Sequence, residues 1–116
     1  LIISSATGST AYSMAAGGPI VHPLINAFVI NAICPMSLSS RPIVIPENSE
    51  IVIKNINKEK NYLQLWKDGT KCITLHENDY CEIIKAPKQA KMISLNDNIS
   101  YYSTLINKLE WRGNLS

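Results

Sequence analysis

The sequence lacks the features that define several classes of protein. Charged residues make up 17% of its 116 residues and the net charge is +2, so bulk charge gives no reason to expect nucleic-acid binding. The longest apolar-rich run, residues 27–35, is interrupted by Asn31, whereas a membrane-spanning helix needs roughly 20 apolar residues. We therefore expect neither nucleic acid nor membrane as a partner.

Cysteine is scarce and an initiator methionine is absent. The three cysteines are an odd number and form no CxxC pair, which argues against a disulfide framework and against a zinc finger. We expect reduced thiols in a cytoplasmic protein. The chain opens directly on Leu1, Ile2 and Ile3, a pattern typical of the middle of a strand. This start predicts that the chain is part of a longer protein.

What is present favours a mainly β domain. Hydrophobic residues make up 46% of the chain, enough to bury a core at this length. Turn signals about 10 residues apart predict an antiparallel β-sandwich-like fold. Asp68-Gly69 predicts a hairpin with a type I′ turn, which needs positive φ at both central positions. The predicted strands after residue 50 are 51–54, 62–66, 72–75, 80–85 and 91–95.

The two ends of the chain predict helices. Tyr101, Leu105 and Leu109 recur every four residues and follow Ser100, a good N-cap, so we predict an amphipathic helix over residues 101–111. At the other end, the pattern predicts a strand over residues 1–4, a tight turn, and a short helix over residues 10–16.

The turn between that first strand and helix is the most informative segment. Gly8 permits a turn that other residues resist, and Ser9 and Thr10 bring hydroxyls and backbone N–H groups to a helix start. Phosphate or ribose oxygens bind readily at such a place. The alternative is an ordinary capped helix. The spacing fits neither a Walker P-loop, nor GxGxxG, nor a nucleophile elbow.

Two long motifs make the sequence recognisable. Residues 7–12 (TGSTAY) with 16–23 (AGGPIVHP), and then 33–46 (ICPMSLSSRPIVIP), closely resemble the NAD kinase family over essentially the whole chain. Such enzymes transfer the terminal phosphoryl group of ATP, or of polyphosphate, to the 2′-hydroxyl of the NAD adenosine ribose. The resemblance implies a C-terminal β-rich NAD-binding domain in residues 1–100. It also implies that residues 101–116, the final helix and tail, pack on an N-terminal α/β domain.

The resemblance also implies which residues bind. Asp68 is either near the acceptor ribose or simply a turn-forming residue. No catalytic residue is expected in this chain, because the family's Gly-Gly-Asp-Gly motif with its expected base is absent from the sequence, and we expect the isolated chain to be inactive. Mg²⁺ is expected with ATP, but no metal ligand is assigned here. The residues implied at the NAD site are Thr7, Ser9, Thr10, Ala11, Tyr12 and Asp68.

The resemblance also implies that the protein forms oligomers. Two other functions remain as alternatives. Residues 34–41 resemble a segment that reaches a neighbouring subunit's ligand in oligomeric members, so we expect a homo-oligomer. One alternative function is a non-catalytic β-rich interaction or oligomerisation module. Another is a relative in the lipid-kinase branch that shares the two-domain arrangement.

Overall fold

The computed structural model describes residues 1–37, 39–56, 62–95 and 100–110, which fall into two compact units, Leu1–Ala86 and Pro87–Ser116. The described part is mainly β, all its strand pairs are antiparallel, and the predicted fold class is confirmed. The elements in chain order are β1 (Ile2–Ser5), a 3₁₀ turn (Thr7–Thr10), α1 (Tyr12–Ala15), β2 (Ala27–Asn31), β3 (Ile43–Pro46), β4 (Ile51–Lys54), β5 (Leu63–Lys67), β6 (Thr70–Leu75), β7 (Tyr80–Ile83) and α2 (Tyr101–Leu109).

The first sheet has the order β1-β2-β3 and supports the N-terminal turn. Its central strand β2 buries every second residue, and Val29 is fully buried. This alternation is what a strand with one face toward a core requires. Val29 forms a core cluster with Ala6 and Val21. Ala6 lies directly before the 3₁₀ turn, so this core lies against the start of that turn.

The other two sheets are pairs of strands, β4 with β7 and β5 with β6. Asp68 and Gly69 join β5 to β6 with φ values of +47° and +79°. Positive φ at both positions is the pattern of a type I′ turn, so the predicted hairpin is confirmed. An ion pair joins Lys85, which follows β7, to Glu47, which follows β3.

The helices are close to their predicted positions. The predicted helix over residues 10–16 is in fact a 3₁₀ turn followed by α1, because Ala11 has φ −96° and ψ −130° and interrupts the helical path. In the second unit, α2 begins as predicted, with the Ser100 hydroxyl accepting from the Tyr102 N–H at 3.3 Å. The predicted end of that helix, Trp111, lies outside the described residues. No helix within the described residues is long and apolar enough to cross a membrane.

Three strand assignments need correction or addition. The strand predicted over residues 91–95 is wrong, since those residues form no strand and Met92, Ile93 and Leu95 are almost fully exposed. A β-rich composition needs a partner strand before it forms a ladder. Conversely, β2 and β3 were not predicted from the sequence. They pair with each other, and β2 also pairs with β1.

Candidate functional site

The segment that follows β1 contains two short helical stretches, the 3₁₀ turn and α1, and Ala11 lies between them. The Ser9 N–H donates to the Ala6 carbonyl at 3.1 Å, and the Ala11 N–H donates to the Gly8 carbonyl at 3.1 Å. Because Ala11 departs from helical geometry, Thr10 and Tyr12 lie on either side of a break in the backbone. The three residues TAY (10–12) therefore form a short corner rather than the interior of one helix.

Gly8 lets this corner lie close to β1. Its N–H donates to the Ser5 hydroxyl at 3.2 Å. A Cβ on Gly8 would lie 3.2 Å from the Cβ of Ser4, which is tighter than an ordinary van der Waals contact. Because glycine has no side chain, the backbone at Gly8 can lie this close to Ser4. The tight turn predicted at this glycine is confirmed.

Ser9 anchors the residues just before the corner to the backbone of Val21. It is fully buried; its hydroxyl accepts from the Val21 N–H at 2.9 Å and donates to the Val21 carbonyl at 3.3 Å. A buried hydroxyl that both donates and accepts is well satisfied. This geometry favours a role for Ser9 in shaping the turn. Direct contact of Ser9 with NAD stays a prediction.

The outer side of the corner is accessible. The Tyr12 side chain is 63% exposed, Thr7 and Ala11 are also exposed, and Thr10 is half-buried. The Thr10 hydroxyl lies 3.5 Å from the Thr7 carbonyl, a long hydrogen bond that a better acceptor could replace. An aromatic ring, a small side chain and a hydroxyl thus occupy one accessible surface.

This surface carries no formal charge of its own. The first charged side chain in the sequence is Arg41. A ligand on the corner would therefore be held by hydrogen bonds and by contact with the ring, and the corner offers no carboxylate or ammonium to act as an acid or base. His22 has its Nδ1 accepting from the Leu24 N–H at 3.2 Å, a structural role that turns the chain after Val21.

The far end of α1 is held by a residue that the sequence analysis missed. Asn31, at the end of β2, is 3% exposed. Its Nδ2 donates to the Ser13 carbonyl at 3.0 Å and to the Ala16 carbonyl at 3.1 Å. Helix ends need such partners for their last carbonyls. The only signal in the sequence was a polar residue inside an apolar run.

A cavity of about 230 Å³ lies beside this end of α1. Its lining residues include Gly17, Asn31, Ser40 and Arg41. The structure therefore brings part of the segment 34–41, which sequence resemblance relates to a subunit contact, next to the end of α1.

Five of the six predicted NAD-site residues lie in one short segment, residues 7–12, and the sixth lies elsewhere in the chain. Asp68 is exposed at the tip of the β5–β6 hairpin. Its positive φ accounts for an aspartate there, since Asp and Asn tolerate this conformation better than most residues. Among the described residues, no group of three His, Cys, Asp or Glu side chains could hold a metal ion. This part of the chain therefore offers Mg²⁺ no such cluster of ligands.

Comparisons with known proteins place this geometry in a family. Residues 1–95 match the ATP-NAD kinase C-terminal domain family. A protein named NAD kinase 1 from Prochlorococcus marinus subsp. pastoris is 69% identical over all 116 residues. NAD kinase 1 from Thermosynechococcus vestitus is 42% identical over 113 residues, or 97% of this chain.

A solved structure agrees with the sequence match. The crystal structure of yeast NADH kinase complexed with NADH superposes with a TM-score of 0.65 at 41% identity, covering 71% of this chain and 23% of the yeast chain. The chain belongs to the NAD kinase family, within the C-terminal domain of that family. It spans 39% of the length of the P. marinus relative and 37% of the T. vestitus relative.

Proposed function

We propose that this chain is the C-terminal domain of an NAD kinase and that residues 7–12 (TGSTAY), which include the corner, supply much of the NAD site. The observation that carries the proposal is the match to the family over residues 1–95, with the corner exposed to solvent and fastened by Ser9. Relatives that are 69% and 42% identical carry the name NAD kinase 1, which supports the same activity for the protein that contains this chain.

The proposed reaction is phosphorylation of the adenosine ribose of NAD. The 2′-hydroxyl oxygen forms a bond to the terminal phosphorus of ATP, the bond from that phosphorus to the bridging oxygen of ADP breaks, and the hydroxyl proton is released. Phosphoryl transfer depends mainly on positioning and on neutralising phosphate charge. Because the corner is uncharged, we expect it to position the acceptor. We expect the base, and the residues that hold the Mg²⁺ accompanying ATP, to lie outside this chain.

Within residues 7–12, each residue is assigned a role by the chemical group that it offers. Tyr12 offers a ring face to a base of the dinucleotide, Ala11 lets that base approach the backbone, and the Thr10 hydroxyl offers a hydrogen bond to a ribose or amide oxygen. Thr7 and Ser9 hold the turn that presents them. Holding the acceptor in one orientation can account for a large part of the rate enhancement of such an enzyme.

The other expectations follow from the same assignment. We propose NAD and ATP as substrates, a cytoplasmic location, and a homo-oligomer in which residues 34–41 approach a neighbouring subunit. Either ATP or polyphosphate could serve as donor, and either NAD or NADH as acceptor. The test below therefore includes all four combinations.

The decisive experiment uses the full-length protein that contains this chain. The purified protein is incubated with Mg²⁺, each donor and each acceptor, and NADP or NADPH is measured with an NADP-specific dehydrogenase. We expect product with at least one combination. A folded full-length protein that forms none with any combination would overturn the proposal. If that protein still self-associates, the non-catalytic oligomerisation module becomes the better assignment.

A further inference from the structure

The buried amide of Asn31 has a cost that ordinary core packing does not explain. Asn31 lies on the buried face of β2 with Ala27 and Val29. An apolar residue would fill such a place without losing hydrogen bonds to water, whereas a buried amide needs partners of its own. Asn31 finds those partners in α1, since its Nδ2 donates to the carbonyls of Ser13 and Ala16. The residue therefore joins β2 to α1.

The helix that Asn31 contacts, α1, is too short to be stable by itself. With four residues, α1 is far shorter than the roughly 12 residues at which an isolated helix becomes marginally stable. Its position depends on contacts with neighbouring segments. Tyr12 is its first residue, and Ala16 follows its last. A shift of the Ala16 end would therefore also move Tyr12, which is about one helical turn away.

The packing around Asn31 leaves α1 little freedom to adopt another position. A Cβ on Gly18 would lie 2.5 Å from the Ser13 hydroxyl and 3.0 Å from the Asn31 Nδ2. On the other side of the corner, Ser9 is bound to the backbone of Val21. The segment 10–12 thus lies between two buried polar ties, Ser9 before it and Asn31 beyond it.

We propose that Asn31 is a positioning residue for the NAD site: by holding the end of α1, it fixes the direction in which Tyr12 faces the ligand. This inference rests on the proposed function of the corner. It predicts that loss of the Asn31 donors weakens the use of NAD specifically. A merely structural role would lower stability and affect both substrates alike.

The test compares two buried asparagines in the full-length enzyme. Asn31→Asp keeps the shape of the side chain but replaces the Nδ2 amide group, which donates two hydrogen bonds, with an oxygen that can only accept. That oxygen would face the carbonyl oxygens of Ser13 and Ala16, which are also acceptors. The matched control is Asn55→Asp. Asn55 is 1% exposed and its Nδ2 donates to the Leu75 carbonyl at 3.1 Å, so a buried amide donor is lost there too, far along the chain from the corner. KM and kcat are measured for NAD and for ATP, with thermal melting of each variant.

We expect Asn31→Asp to raise the KM for NAD roughly tenfold while kcat and the KM for ATP change less than about twofold. Asn55→Asp is expected to lower the melting temperature and to leave both KM values unchanged. If Asn31→Asp does not melt cooperatively, Asn31→Ser, which keeps one donor, replaces it.

Three results would overturn the inference. These are equal changes for both substrates, the same kinetic effect in the Asn55 variant, or failure of both Asn31 variants to fold. The unsubstituted enzyme separates this inference from the proposed function. If it forms no NADP, the function itself is wrong. If it does and Asn31→Asp behaves like the control, only the role of Asn31 is wrong.

Discussion

Tyr12 is the side chain of the corner that offers the most surface to a ligand, because 63% of it is exposed beside Thr10 and Ala11. We predict that Tyr12→Ala in the full-length enzyme weakens the use of NAD more than the use of ATP. Loss of an aromatic stacking partner costs about 1–3 kcal/mol, so the KM for NAD should rise about tenfold. Steady-state kinetics with each substrate varied in turn measures this difference.

Two variants sharpen the Tyr12 experiment. Tyr12→Phe keeps the ring and is expected to keep most of the affinity for NAD, which would assign the effect to the ring face and not to the hydroxyl. Tyr80→Ala removes a tyrosine of similar exposure, 67%, from β7 and should leave both KM values unchanged. Equal losses on NAD and ATP in Tyr12→Ala would count against a role at the NAD site.

Gly18 is required by the space around α1. A Cβ there would meet the Ser13 hydroxyl at 2.5 Å and the Ser13 carbonyl oxygen at 2.8 Å. We predict that Gly18→Ala lowers the free energy of unfolding by about 1–3 kcal/mol, the usual cost of overpacking. The shift in the urea unfolding midpoint of the full-length protein measures it.

Ser13 supplies the matched test of that clash. Its hydroxyl is buried and is without a hydrogen-bond partner in the described part of the chain. Ser13→Ala alone should therefore leave stability unchanged or raise it, since an unsatisfied buried hydroxyl is costly. Added to Gly18→Ala, it should recover part of the loss, because the carbonyl contact remains. A double variant no more stable than Gly18→Ala would contradict this account.

Residues of the corner differ in how far the sequence predicted them. Gly8 and Thr10 were identified from a local pattern, since a glycine before small polar residues indicates a tight turn, whereas Tyr12 was identified through the resemblance to a family. The burial of Ser9 could not be predicted in that way, because its partner Val21 lies twelve residues further along the chain. The same holds for Asn31, whose hydrogen-bond partner Ser13 lies eighteen residues earlier in the chain.

At the scale of elements, the β5–β6 hairpin was the most predictable feature. Two residues with positive φ, Asp68 and Gly69, form its turn, and Asp-Gly is among the few pairs that favour such a turn. We predict that Asp68→Asn keeps the melting temperature, because Asn adopts this conformation equally well. Asp68→Ala should lower stability by about 1 kcal/mol, since Ala does not.

The same substitutions decide whether Asp68 touches the acceptor ribose. Its position at a turn that favours aspartate accounts for the residue without a ligand, so we expect Asp68→Asn to change the KM for NAD less than about twofold. A tenfold rise in that KM without a change in melting temperature would instead assign the carboxylate to the NAD site.

The strands show where local sequence patterns stop being sufficient. Residues 91–95 have a β-like composition but form no strand, and three of their large side chains are exposed. In contrast, β2 was obscured by an asparagine within its apolar run, and it became the central strand of the first sheet. Strand formation depends on which partner the chain supplies, and that information is not local.

At the scale of the whole molecule, few large side chains are buried among the described residues of the unit Leu1–Ala86. The buried hydrophobic residues of the described chain are Ala6, Val21, Ala27, Val29, Ile51 and Leu75, two of them alanines. Large residues on several strands are exposed, among them Val52 at 61% and Trp66 at 58%. Burial of apolar surface is the main favourable term in folding, so these residues by themselves contribute little stability.

This small core leads to a prediction for the isolated chain of 116 residues. We expect it to form no measurable NADP, because the proposed base and phosphate-binding groups lie outside it. We also expect it to melt at a lower temperature than the full-length protein and to bind a hydrophobic dye, since many of its large apolar side chains are exposed. The full-length protein, assayed and melted under the same conditions, is the control. NADP formation by the isolated chain at the full-length rate would show that these residues carry the whole active site. Equal melting temperatures would show that the exposed side chains need no further partner.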